Sequence, residues 1–261
     1  MRPQKLAMEK IICGIQQMGI GVPDVQEIWK WYRKFFGVNV RVFEEAAEAP
    51  LMIDYTGGKV HSRTATMALS MDGGAGFEIW QFTSRPTAKA TFEIQLGDYG
   101  LYACRIKSRD VEASYNYFKE NGADIQGTLE TAPNGEKSFF VKDPNGNIFN
   151  IVDGKGWFQN TGHPSRCGGP AGTLIGVSDI DKALAVYQDI LEYETVVYDE
   201  TGVFDDLKGL PGGDKKVRRI LLTHKNARRG PFARLLGPSQ IELVQALDRD
   251  DTQSIFADRF W

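Results

Sequence analysis

The chain has few cysteines, and the three it has, Cys13, Cys104 and Cys167, are odd in number and widely spaced, with no CxxC pair. That excludes a disulfide scaffold and the common zinc and redox motifs, and leaves free, mostly buried thiols as the expectation. Long hydrophobic runs are also missing: nothing approaches the roughly 18 consecutive apolar residues of a membrane helix. The opening MRPQKLAMEKIICGIQQ has no extended apolar core with a small-residue cleavage site, so no secretory leader is expected and the protein is expected to be cytoplasmic. Charge of one sign is lacking as well. Thirty-one basic against thirty-four acidic residues leave a formal net charge of −3, with no Lys/Arg run, which argues against nucleic acid or anionic lipid as a partner.

Several catalytic signatures are absent. No phosphate-cradling GxxxxGKS/T loop, no GxGxxG after a strand, no GxSxG elbow and no HExxH or HxxxH pair occurs. Phosphoryl transfer, dinucleotide binding and serine hydrolysis therefore find no support. What is present is an ordinary globular composition, 42% hydrophobic, 25% charged and 11% aromatic over 261 residues. That is enough apolar material for a packed core, and too long for the commonest single domain.

One pattern occurs three times: a small-residue-rich apolar strand, an Asp, then an amphipathic helix. The first copy is Met18 to Val22, Asp24, then Val25, Ile28, Trp29, Tyr32 and Phe36. The third is Leu174 to Val177, Asp179, then Ile180, Ala183, Leu184, Tyr187 and Leu191 at the same spacing. Both apolar stripes follow the helical period. The middle copy is weaker, with a strand from Leu101 to Ile106, Asp110, and Val111, Tyr115 and Phe118 before the stop Asn121-Gly122. Each Asp stands where an N-cap acceptor is needed.

Three strand-like stretches follow each helix. They are Val38 to Phe43, Arg63 to Met71 and Gly76 to Phe82 in the first unit. In the second they are Asp124 to Leu129, Ser138 to Lys142 and Asn147 to Val152, the last two joined by the turn Asp143-Pro144-Asn145-Gly146. In the third they are Thr195 to Tyr198, Val217 to Thr223 and Gln240 to Val244. The order is βαβββ each time, and the Gly-rich stretch from Gly154 to Gly169 separates the second unit from the third.

Tandem βαβββ units with the opening Gly19-Ile20-Gly21-Val22-Pro23-Asp24 and the closing hairpin Asp143-Pro144-Asn145-Gly146 through Ile151 resemble the vicinal oxygen chelate superfamily. This group includes glyoxalase I, extradiol dioxygenases and the bleomycin and fosfomycin resistance proteins. The resemblance runs from about Ile12 to Ala246 and implies an α+β fold in which two units curl their strands into a cup. The first and second units, residues 10–86 and 97–154, are expected to form one complete cup as a first domain over 10–154. A linker at 155–170 leads to a partial second domain over 171–261, an unpaired third unit. Because such a sheet would expose an apolar face, the chain is expected either to be a fragment of a four-unit protein or to complete its half-cup in a homodimer.

The resemblance also implies a divalent metal, such as Zn, Ni, Mn or Fe, held by side chains of first and last strands and polarising two vicinal oxygens of a small substrate. Gln17 falls at the first-strand ligand position and Glu78 at the last-strand carboxylate of the first unit. In the second unit the corresponding positions are Leu101 or Tyr102, and Asn150; in the third they are Gly172 and Glu242. Gln17, Glu78 and Glu242 are thus the metal-ligand candidates, with Glu78 also a candidate base. Strand parity puts Trp80 and Phe82 on the face of Glu78 as aromatic walls, and Arg105 within the cup as a partner for an anionic substrate or for a structural carboxylate. For Gln17 and Glu78 the alternative is a polar pair bonded to each other. His61, His163 and His224 have no spaced partners and read as loop or strand-end residues. Two functions follow: a glyoxalase- or dioxygenase-like metal-dependent lyase, isomerase or dioxygenase, or a metal-free small-molecule-binding module of the resistance type.

Overall fold

The computed structural model describes residues 10–260 and contains the three βαβββ units. The first comprises β1 (Gln17–Gly21), α1 (Val25–Phe36), β2 (Val40–Glu48), β3 (Ser62–Leu69) and β4 (Gly76–Phe82). The second comprises β5 (Gly100–Ser108), α2 (Val111–Glu120), β6 (Asp124–Thr131), β7 (Lys137–Lys142) and β8 (Ile148–Asp153). The third comprises β9 (Cys167–Gly176), α3 (Ile180–Leu184), β10 (Thr195–Gly202), β11 (Val217–Thr223), the short helix α4 (Ala233–Leu236) and β12 (Gln240–Ala246).

The helices form where stripe and cap coincide. Asp24, Asp110 and Asp179 each accept a backbone N–H three residues on, from Glu27, Ala113 and Lys182, satisfying a donor that the first helical turn leaves open. Helix α1 stops at Gly37, whose φ of 63° suits the left-handed cap. Helix α3 is short and passes into a π-helical turn over Ala185–Ile190, which leaves Val186 and Ile190 exposed while Tyr187 and Leu191 keep their place against the core.

The units pair differently from the expectation. The continuous eight-stranded sheet has the order β10-β11-β12-β9-β5-β8-β7-β6, so the complete cup joins the second and third units. The first unit, not the third, stands apart as a four-stranded sheet, β1-β4-β3-β2. The reason lies in the helices. Phe35 packs on Phe118 at 4.8 Å between ring centroids and Phe36 on Phe149 at 4.8 Å. With Ile106, Phe77 and Ile79 these rings make one core shared by the first two units. Each fully buried aromatic ring contributes about 2–3 kcal/mol by area, so α1 and α2 are sandwiched back to back and the first strands of these units are held apart. Strand β5 is left to pair antiparallel with β9, for example Cys104 with Thr173. The Tyr32 hydroxyl pins the same junction, donating to Asp143 of the β7–β8 turn at 2.7 Å.

Among the described residues no helix is long and apolar enough to cross a membrane. All three cysteines are free, and burial pushes the Cys104 thiol up and that of Cys167 up to about 12, so both are unreactive as thiolates.

Candidate functional site

The six candidate residues fall into two separate sets. Gln17, Glu78, Trp80 and Phe82 lie on the first unit's own sheet, whereas Arg105 and Glu242 meet inside the eight-stranded cup.

In the first set, strand alternation sends Phe77 and Ile79 into the core, where both are fully buried, and turns Glu78, Trp80 and Phe82 to the opposite face. The Gln17 side-chain amide donates to Glu78 Oε2 at 2.6 Å. Trp80 and Phe82 stand edge to face at 5.9 Å, with the Arg63 guanidinium over the Trp80 ring and that of Arg85 over Phe82. Neighbouring Gly19 and Gly21 meet nothing within 4 Å of where a Cβ would be. A cavity of about 560 Å³ opens against this surface, walled by Met18, Ile20, Trp80, Phe82, Tyr102 and Phe149. That size and apolar lining suit a small organic ligand. Glu78 is the register partner of Gly19, which lines the cavity, but neither Glu78 nor Gln17 is itself among the lining residues.

The cup of the second and third units has a different interior. Glu242, the last-strand carboxylate, accepts Arg105 Nη1 at 2.6 Å on Oε2, and Tyr198 and Arg219 Nε at 2.9 and 2.7 Å on Oε1. Arg219 continues to Asp206 at 2.8 Å. Burial alone would raise the Glu242 pKa, but Arg219 and Arg105 outweigh it and hold the carboxyl below its usual range. For Asp206, burial dominates and raises it. Around this network Leu96, Tyr102, Phe140, Leu174, Leu207 and Val244 form a packed cluster. The concavity is filled by an ion-paired core.

The metal-ligand expectation can be tested on these donors. Both Glu242 oxygens are committed to guanidinium and phenol groups, and two adjacent positive charges oppose a further cation. The third unit's first-strand position cannot help. Gly172 has a φ of 154°, and a Cβ there would lie 1.9 Å from the Gln240 carbonyl oxygen. In the second unit the position equivalent to Gln17 is Ala103, not Leu101 or Tyr102: Gly19, Arg105 and Leu174 each pair with the last-strand residue of their unit, and Ala103 and Gly172 stand two residues before the latter two. Asn150, buried, donates to the Phe139 carbonyl at 3.3 Å. A divalent ion does not fit this cup. In the first unit Gln17 and Glu78 supply two donors, one of them neutral, short of the four or more such ions take. Among the described residues no three of His, Cys, Asp and Glu converge. His61 meets Ser84 at 3.0 Å, His163 meets Ser165 at 2.8 Å and His224 the Glu192 carbonyl at 2.7 Å. Each is a loop or strand-end residue, as expected.

Sequence reasoning missed Tyr198, Arg219 and Asp206. The available signal was Arg219, an inward-parity charge inside the apolar run Val217 to Thr223. It also missed the segments around Arg85 and Arg259 that wall the cavity, because neither lies in a periodic element.

The sequence model of the glyoxalase/bleomycin resistance protein/dioxygenase superfamily matches residues 14–151. No curated protein matches the chain. Among solved structures, a glyoxalase I point mutant from Zea mays superposes with a TM-score of 0.52 at 14% identity, covering 90% of this chain and 69% of that one. A candidate dioxygenase from Bacillus subtilis gives 0.52 at 17% identity, covering 92% of this chain and 66% of that one. At these identities the likeness is one of fold.

Proposed function

Since the chain belongs to the glyoxalase/bleomycin resistance protein/dioxygenase superfamily, whose model covers more than half of it, we propose that it is a small-molecule-binding protein of this fold. It would take its ligand against the first unit, on the wall that holds Trp80 and Phe82. One observation carries the reading. The complete cup is occupied by the Arg105–Glu242–Arg219–Asp206 network, whereas the 560 Å³ cavity beside the first unit is open to a ligand. In this reading the eight-stranded sheet is the body that supports the site, and Arg105 and Glu242 are structural. Ligand-observed NMR against a library of small aromatic compounds, repeated on Trp80→Ala, tests it. Hits lost in the variant support the site, and hits that persist unchanged place binding elsewhere.

A second reading is favoured by the 2.6 Å contact of Gln17 with Glu78, first strand to last. In it these two side chains are part of a ligand set for a divalent ion in a lyase, isomerase or dioxygenase, and further donors join them from outside the first unit. Metal analysis of chelator-treated protein reloaded with Mn, Fe, Ni or Zn separates the two, because stoichiometric binding lost in Glu78→Ala would favour the second.

A further inference from the structure

We infer that α3 and its π-helical continuation form a docking surface for a second copy of this chain, the two copies packing α3 against α3 across a two-fold axis. Counted from the capping aspartates Asp24 and Asp179, the first and third units run in step: Val25 stands at Ile180, Tyr32 at Tyr187, Phe36 at Leu191 and Gly37 at Glu192. The structure keeps that step. Gly37 and Glu192, each just past its helix, share a φ of 63°, and β2 and β10 begin at the matching residues Val40 and Thr195. On this count Trp31 and Phe35 correspond to Val186 and Ile190. In the first unit that flank is the interface with the second unit. Phe35 is 2% exposed, its ring 4.8 Å from that of Phe118 and 6.1 Å from that of Tyr117, and Trp31 reaches Phe149 at 6.4 Å. In the third unit the same flank is apolar and uncovered, with Val186 46% and Ile190 56% exposed.

The first unit shows what such a flank takes: the helix of another unit, back to back. In a second copy α1 and α2 already cover each other, and α4 is only four residues long. The apolar helix flank left over among the described residues is that of α3 itself, and an isologous contact, the same patch from both copies, closes as a dimer. Charge sets the direction. Lys182, one turn before Val186, is 86% exposed and paired with Asp179 of its own cap at 2.9 Å. Asp189 lies exposed at the far end, where Lys10 is held by Glu192 at 3.4 Å. Antiparallel helices set Lys182 of each copy toward Asp189 of the other, whereas parallel ones would set like charges together. Val186 then faces its own equivalent at the axis, an apolar centre with a charged rim. One helix pair buries less than the roughly 1,200 Å² of a tight interface, so the dimer is weak, of micromolar affinity or weaker. None of the described residues that wall the cavity lies on α3, so the dimer and the ligand site are independent.

Sedimentation velocity of the intact chain from about 1 µM to about 1 mM, a span that brackets such an affinity, tests this. The expected result is a reversible shift from the mass of one chain toward that of two. Val186→Asp, which sets two carboxylates against each other at the axis, should weaken association about tenfold or more, and Ile190→Asp should act in the same direction. Both sites are exposed, so the far-UV circular dichroism and the Tm in dilute solution should stay those of the parent. Should either variant unfold, Val186→Cys in a Cys13→Ser background reads the contact directly. A short bis-maleimide should join that cysteine to its own equivalent, and should leave Asp54→Cys, exposed on the first unit, unjoined in the same background. The mass of a single chain at every concentration overturns the inference. A dimer that survives both aspartate variants at the parent's affinity overturns it as well, its contact lying on another surface.

Discussion

Arg105 and Glu242 meet at 2.6 Å between β5 and β12, strands from different units that flank β9 in the eight-stranded sheet. Each was a candidate for function, and each occupies the other. A carboxylate that an incoming ion would need is satisfied by the arginine that an anionic substrate would need. The side chains are 5% and 1% exposed, so neither partner has water to turn to if the other is removed.

Arg105→Met should therefore destabilise the protein by about 3 kcal/mol, the range for breaking a buried ion pair from one side. The low end applies because Arg219 and Tyr198 still hold Glu242. Urea unfolding measures the difference. A loss below about 1 kcal/mol would mean that the pair is dispensable and the cup is open to another occupant.

Gly172→His, which writes an imidazole at the third unit's first-strand position, should not create a metal site. Its Cβ would lie 1.9 Å from the Gln240 carbonyl oxygen, on a backbone with φ of 154°, so β9 or β12 must shift. The expected outcome is a loss of several kcal/mol, with no stabilisation by Zn or Ni in a thermal melt. A metal-dependent rise in Tm would show that the cup can be reopened.

The repeating units were legible because each rests on local chemistry. The caps at Asp24, Asp110 and Asp179, the stripe of α1 and the Asp143 turn are decided by residues within a few positions of one another. How the units pair was not legible. Whether β5 finds β1 or β9 depends on how Phe35 and Phe36 interlock with Phe118 and Phe149, contacts more than 80 residues apart in sequence. That Gln17 and Glu78 share a face was legible, since strand parity alone fixes it, and the two side chains do meet. The fate of Glu242 was hidden, because its partners Arg105 and Arg219 come from two different strands whose register no short motif encodes.

Divalent ions should leave the Tm of the parent and of Glu78→Ala equally unmoved. Gln17 and Glu78 offer one charged and one neutral donor already bonded to each other, and a structural or catalytic ion takes at least two more. Thermal melts with Mn, Fe, Ni and Zn read this directly. A metal-dependent rise in Tm present in the parent and absent from both Glu78→Ala and Gln17→Ala would favour the metal-assisted reading instead.

Lys107 should give the protein a rise of stability in mild alkali. The side chain is fully buried in β5, with the Gly156 carbonyl at 3.3 Å and the Trp157 ring at 5.5 Å beside its amine and no ion pair to a carboxylate among the described residues. Burial, helped by Arg109, lowers its pKa to about 8 from 10.5. Above pH 10.5 the amine is neutral folded and unfolded alike, and its titration has no effect. Between about pH 10.5 and 8 the unfolded chain holds a proton that the folded chain does not, so stability falls as pH is lowered, by about 3 kcal/mol in all. Below pH 8 both states are charged and the penalty is constant. Lys107→Met removes this titration while keeping the length of the side chain. The difference in unfolding free energy between parent and variant, followed from pH 7 to 10, should therefore shift in favour of the parent as pH rises. Parallel curves would mean that Lys107 is charged and well solvated in the folded protein, or reached by an acidic partner.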